Sequence, residues 1–163
     1  MPRQLYVFAA DLVGHPGVRR TIAVRSDQTL VVLHHALQAA FEWDDDHLYS
    51  FWLKGGFWAR DGSEYSHPMH AAQPDPLMGL RNCGPAAKSA ATRLDRLKLR
   101  NGQRIAYVFD FGDEWRVALT LRRITDDESG PSPRLIDSSG EAPGGQVVPG
   151  APSACGRANA VAS

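Results

Sequence analysis

Tyr107-Val-Phe-Asp-Phe-Gly-Asp-Glu-Trp-Arg-Val-Ala-Leu-Thr-Leu121 reads as two β-strands around an acidic glycine turn. Ile105, Tyr107, Phe109 and Phe111 alternate with Ala106, Val108 and Asp110. Beyond the turn, Trp115, Val117, Leu119 and Leu121 alternate with Arg116, Ala118, Thr120 and Arg122. Period-two alternation marks strands with one buried face. A two-residue turn at Gly112-Asp113 would set Phe109 opposite Arg116 and Asp110 opposite Trp115. An odd loop of three or five residues instead pairs Phe111 with Trp115, Phe109 with Val117, Tyr107 with Leu119 and Ile105 with Leu121. It also sets Asp110 opposite Arg116 on the other face. A one-residue slip sends every side chain to the wrong side, so the odd loop is expected. Gly112 is expected to hold a backbone angle that other residues resist.

Working outward, Leu5 to Leu12 and Arg19 to Arg25 alternate around the turn signal His15-Pro16-Gly17 and predict a hairpin. Asp27 is placed to cap a helix over Thr29 to Glu42, with Leu30, Leu33, Leu37 and Phe41 on one face. His34 falls on that face and His35 points to solvent. Three carboxylates, Asp44-Asp45-Asp46, oppose the dipole at its C-terminal end. His47 to Lys54 is expected as a third strand and Phe57 to Arg60 as a short fourth. Residues 61–87 carry Pro68, Pro74, Pro76 and Pro85 and read as a long irregular loop. Leu94 and Leu97 have helical spacing within a short segment, Ala90 to Leu99. The resulting order, ββαββ-α-ββ, is an α+β domain: a mainly antiparallel sheet with one main helix packed on one face.

Composition bounds the partners. The chain has 163 residues, enough for one domain with a real core. Lysine plus arginine and aspartate plus glutamate both number 18, so the formal net charge is zero and general duplex-DNA binding is not expected. Cys83 and Cys155 make no metal-type spacing and read as reduced thiols in a cytoplasmic protein. Neither a signal peptide nor a membrane span is expected, because the N-terminal stretch has no long apolar run and soon meets a charge. From Asp126 onward the chain holds five of its eleven prolines and no aromatic residue. The domain is therefore drawn at residues 1–143, with 144–163 a Gly/Pro/Ala-rich tail unable to offset its ordering entropy. Leu135-Ile136 is expected to dock on the domain.

Two segments carry a family resemblance. One is Leu33-His34 with Ala39 through Phe51; the other is Tyr107 through Trp115. Together and in this order they resemble the plasmid pRiA4b ORF-3-like family, also labelled insertion-element passenger proteins of a TnpR-like kind. The resemblance spans about Gln4 to Pro143 and implies a compact α+β domain. This chain departs from the family at Val18, where members commonly have tryptophan. It departs again at Val117, where many have histidine, and at Arg122, where many have glutamate. The nucleophilic serine and helix-turn-helix of a serine recombinase are missing, so resolvase activity is not expected.

Several groups are candidates for chemistry. His34, His47, Asp110 and Asp113 could hold a divalent metal or do acid–base work; alternatively, His34 is a core-edge histidine and the aspartates brace the turn. Asp44-Asp45-Asp46-His47 lacks the spacing of a calcium loop. Ser66-His67-Pro68-Met69-His70 offers too few ligands for a metal. Trp52, Phe57, Trp58 and Tyr65 make either core or a binding surface. Arg19 and Arg20 with Arg122 and Arg123 would form a basic edge if the second and last strands were neighbours. No nucleophile elbow, phosphate loop or dinucleotide fingerprint occurs. The leading expectation is a non-enzymatic binding or adaptor domain for a protein or small-molecule partner, associated with mobile genetic elements and without a cofactor. The rivals are a metal-dependent or acid–base enzyme and a single-strand nucleic-acid binder.

Overall fold

The computed structural model describes residues 3–43, 47–72, 87–126 and 130–141. The expected tail at 144–163, the acidic run Asp44-Asp45-Asp46 and both cysteines lie outside them. The elements run β1 (Gln4–Leu12), β2 (Arg19–Arg25), α1 (Leu30–Phe41), β3 (Tyr49–Trp52), β4 (Glu64–Ser66), α2 (Pro68–Ala72), β5 (Lys88–Ser89), a 3₁₀ turn (Leu94–Arg96), β6 (Arg104–Phe109), β7 (Trp115–Asp126) and β8 (Arg134–Ser139). The strands form one sheet in the order β5-β4-β3-β6-β7-β1-β2-β8. Only the β4–β5 pair is parallel; the other pairings are antiparallel. The fold is α+β and mainly antiparallel sheet.

The core lies between α1 and one sheet face. Leu30, Leu33, Leu37 and Phe41 meet Tyr6, Phe8, Ile22, Val24, Tyr49, Phe51, Tyr107 and Val117. The helix face read from periodicity is the buried face, and His34 is buried with it. The cap differs from expectation. Thr29, not Asp27, caps α1, its hydroxyl accepting from Val32 N at 3.3 Å. Asp27 instead pairs with Arg25 at 3.3 Å. Thr29→Ala should cost about 1 kcal/mol in chemical denaturation, whereas Asp27→Ala should cost much less, as a partly exposed ion pair does.

The β6–β7 register corrects the predicted pairing. Phe109 faces Trp115, Tyr107 faces Val117, Ile105 faces Leu119 and Val108 faces Arg116. The loop is the odd one, of five residues, but the strands are offset by two from the expected pairs. Because two is one full period, each strand residue keeps its face. Phe111 does not: it leaves the strand and packs on the opposite sheet face, beside Trp52. Asp110 has no pair on β7 and belongs to the turn, its N–H donating to Leu48 O at 2.8 Å on the other side. Gly112 is not the left-handed residue there; Asp110 (φ 65°) and Glu114 (φ 53°) are. Asp110 Oδ1 accepts from Gly112 N at 3.0 Å, and Glu114 N donates to Asp110 O at 2.6 Å. An aspartate bonding its own turn tolerates this angle better than most side chains.

Other boundaries also move. Phe57 to Arg60 is a turn rather than a strand, and β4 forms later, inside the stretch expected as loop, followed by α2. Ala90 to Leu99 supplies one 3₁₀ turn instead of a helix. The segment at Leu135-Ile136 does more than dock: it forms β8, pairing with β2 through a bulge between Thr21 and Ile22. Among the described residues no helix is long and apolar enough to cross a membrane.

Candidate functional site

His34 sits in the second turn of α1, one face over the sheet, and is 1% exposed. Its Nδ1 is 2.7 Å from the Tyr107 hydroxyl, and its ring stacks on Tyr49 with centroids 3.6 Å apart. Burial, with the nearby His35 and His67 charges, pushes its pKa down to about 3. Burial holds the Tyr107 hydroxyl far above its ordinary range, with Tyr49 adding to the effect. Both groups are therefore neutral at physiological pH. Nε2 of His34 has no hydrogen-bond partner. A neutral ring wedged between tyrosines is a packing element, and its proton chemistry lies far below neutral pH.

His47 and Asp110 do come together. His47 Nε2 is 3.6 Å from Asp110 Oδ2, and its ring meets Phe109 edge-on. Asp113 is exposed and reaches Asp110 through its backbone N–H at 3.4 Å. The four candidates thus split: His47, Asp110 and Asp113 share the turn, and His34 belongs to the Tyr107 pair in the core. Among the described residues no three His, Cys, Asp or Glu side chains gather in a way that could hold a metal ion. His67 stands edge-on to Tyr49, and its Nδ1 accepts from Met69 N at 3.1 Å.

Three of the four aromatic candidates, Trp52, Phe57 and Trp58, lie on the sheet face opposite α1. Trp52 is buried there with Ala106 and Val108, under Phe57, Ala59 and Phe111. Trp58 stands on this group, 5.1 Å from the Trp52 ring and 5.0 Å from Phe111, yet is 40% exposed. Its backbone is left-handed (φ 59°), a rare state for a bulky side chain. Its indole N–H donates to Glu114 Oε1 at 2.9 Å. Arg116 donates to the same oxygen at 2.9 Å and lies 5.4 Å over the Phe57 ring. Arg116 first, and Trp58 second, hold the Glu114 carboxyl below its usual range, so it stays charged. Tyr65 is elsewhere, against the core on the α1 side.

Sequence reasoning missed three members of this knob: Phe111, Glu114 and Arg116. Phe111 takes the face opposite to the one its alternation implies, because β6 ends at Phe109. The signal available for the others was the opposite-charge pair flanking Trp115.

The arginine candidates separate as well. Arg19 is exposed and pairs with Asp11 at 2.6 Å. Arg20 is 4% exposed and bonds Ala40 O, Arg19 O and Ser139 O, so its role is structural. β2 and β7 are separated by β1, so Arg19 and Arg20 form no edge with Arg122 and Arg123.

Comparison with known proteins agrees with the fold. The family described as "Plasmid pRiA4b ORF-3-like protein" matches over residues 4–150. The uncharacterized protein y4hQ of Sinorhizobium fredii (strain NBRC 101917 / NGR234) is 29% identical over 129 residues, covering 78% of this chain and 58% of that protein. The chain therefore spans little more than half the length of that curated relative. The crystal structure of a protein of unknown function, MM3350 from Methanosarcina mazei Go1, superposes with a TM-score of 0.65 at 24% identity. It covers 85% of this chain and 71% of that one, and it shows a shared fold.

Proposed function

The chain belongs to the plasmid pRiA4b ORF-3-like family, and on that footing we propose that it is a non-enzymatic binding domain. It acts in the cytoplasm, is carried with mobile genetic elements, and engages its partner through the knob of Phe57, Trp58, Phe111, Glu114 and Arg116. One observation carries the reading. Trp58, Asp110 and Glu114, three of the non-glycine residues with positive φ, converge to hold an indole at 40% exposure. For Trp58 and Glu114 such an angle costs on the order of 1 kcal/mol or more, a strain that tends to cluster at binding sites. Tryptophan and arginine are also the residues that most often dominate binding energy at interfaces.

The competing acid–base reading rests on His47 and Asp110 at 3.6 Å. The two separate by substitution. Trp58→Ala should leave the thermal midpoint within a few degrees and abolish capture of the material that the intact chain retains. His47→Ala should leave capture unchanged. Capture that survives Trp58→Ala would remove the knob as the binding surface. Turnover of any substrate that is lost on His47→Ala would put an enzyme in its place.

A further inference from the structure

The knob shares its sheet face with most of the sheet's arginines. Residues directly opposite on neighbouring strands lie on one face, so the register can be followed across the molecule. Trp52 faces Ala106, Ala106 faces Ala118, Ala118 faces Asp11 and Asp11 faces Arg19. One row further, Arg104 faces Thr120, Ala9 and Thr21 in turn. Next, Arg123 faces Val7, which faces Ala23, which faces Arg134. Leu5 faces Arg25, and Val108 faces Arg116. Six arginines, Arg19, Arg25, Arg104, Arg116, Arg123 and Arg134, thus stand on the face away from α1. The acidic strand residues on that face are Asp11, Glu64 and Asp137. Counting Glu114 of the knob, ion-paired to Arg116, this face of a chain of zero formal net charge holds six arginines against four carboxylates, an excess of two positive charges. Arg104 and Arg123 are exposed there. Between the arginines stand small residues, Ala9, Ala23, Ala118, Thr21 and Thr120.

We infer that this face binds single-stranded nucleic acid, the arginines meeting phosphates and Trp58 stacking on a base. The inference rests on the binding-domain reading and names its partner. Charge complementarity selects a polyanion. The indole selects a single strand, because only an unpaired base presents its π-face to an aromatic side chain. A duplex would meet the arginines and leave Trp58 without a role. The local surplus also removes the objection from composition: a neutral chain can present a basic face when its acidic residues stand elsewhere.

The test is fluorescence anisotropy of the full chain with a fluorescein-labelled thymidine oligonucleotide of about 16 residues, an upper site size for one such surface. Salt is stepped from about 20 to 200 mM. The intact chain should bind, with log K falling linearly in log salt. Arg104→Ala/Arg123→Ala should flatten that slope by about 1.4, from about 0.7 per phosphate contact on a single strand. Trp58→Ala should weaken binding about tenfold at every salt concentration and leave the slope alone. His35→Ala, on the exposed side of α1, is the control and should match the intact chain. No anisotropy change at the lowest salt overturns the inference, and so does equal affinity for a duplex of the same length. If the oligonucleotide fails while captured protein is still lost on Trp58→Ala, the partner class is wrong and the binding-domain reading stands.

Discussion

Acidification from pH 6.5 to pH 4 should cost the domain about 3 kcal/mol of stability through His34 alone. The cause is the ring's burial at 1% exposure, which pushes its pKa down to about 3 in the folded chain, against about 6.5 when unfolded. Above pH 6.5 the ring is neutral in both states and the difference contributes nothing. As pH falls, the unfolded chain takes up a proton that the folded chain refuses. Stability then drops by about 1.4 kcal/mol per pH unit until the folded ring titrates near pH 3. Urea denaturation at several pH values between 7 and 4 reads this directly. His34→Gln can still hydrogen-bond Tyr107 and cannot titrate, so its stability should fall less steeply by about that amount per unit. Parallel pH profiles for the two chains would show that His34 is not the group responsible.

Arg20→Met should destabilise the domain by about 3 kcal/mol, lowering the midpoint by about 10 °C. Among the described residues, Arg20 is the one Asp, Glu, Lys or Arg whose side chain is buried. Its guanidinium reaches Ala40 O at 2.9 Å near the end of α1 and Ser139 O at 2.8 Å at the end of β8. It also lies 5.3 Å over the Phe41 ring. The methionine keeps the apolar stem and leaves those carbonyls without their donor. Arg20→Lys should recover less than half of the loss, because one ammonium cannot span two carbonyls set for a planar fork. Amide exchange in β8 should accelerate in both variants ahead of exchange in β6 and β7. A midpoint within about 2 °C of the intact chain would mean the helix and β8 are held by packing alone.

Faces were legible in the sequence, and register was not. Alternation in Ile105 to Phe109 and Trp115 to Leu121 assigns sides modulo two, so a two-residue offset leaves every strand assignment intact. The register is set by the turn, where Asp110 and Glu114 take left-handed angles that no glycine announces. The α1 face was legible for the same reason, since Leu30, Leu33, Leu37 and Phe41 repeat cleanly. β8 was invisible as a strand because it is an edge, with Leu135 and Ile136 49% and 43% exposed and polar residues after them. It carries no buried alternation to detect. The split of His34 from His47 was equally hidden. It depends on Tyr107 of β6 facing α1, a contact 73 residues away in sequence.

The order β7-β1-β2-β8 sets a schedule for synthesis. The hairpin of β1 and β2 lies sixth and seventh among the eight described strands, and its outer neighbours, β7 and β8, follow it late in the chain. Gln4 finds Asp126, and Arg19 finds Ser139, each across more than a hundred residues. Pairings of that span fold slowly, because loop closure comes before the contacts that reward it. Until the C-terminal strands emerge, β1 and β2 hold apolar side chains and two open edges without their partners. The nascent chain is at its most vulnerable to chaperone capture and aggregation in that interval, and a chain ending before Trp115 lacks β7, the strand that joins β6 to β1.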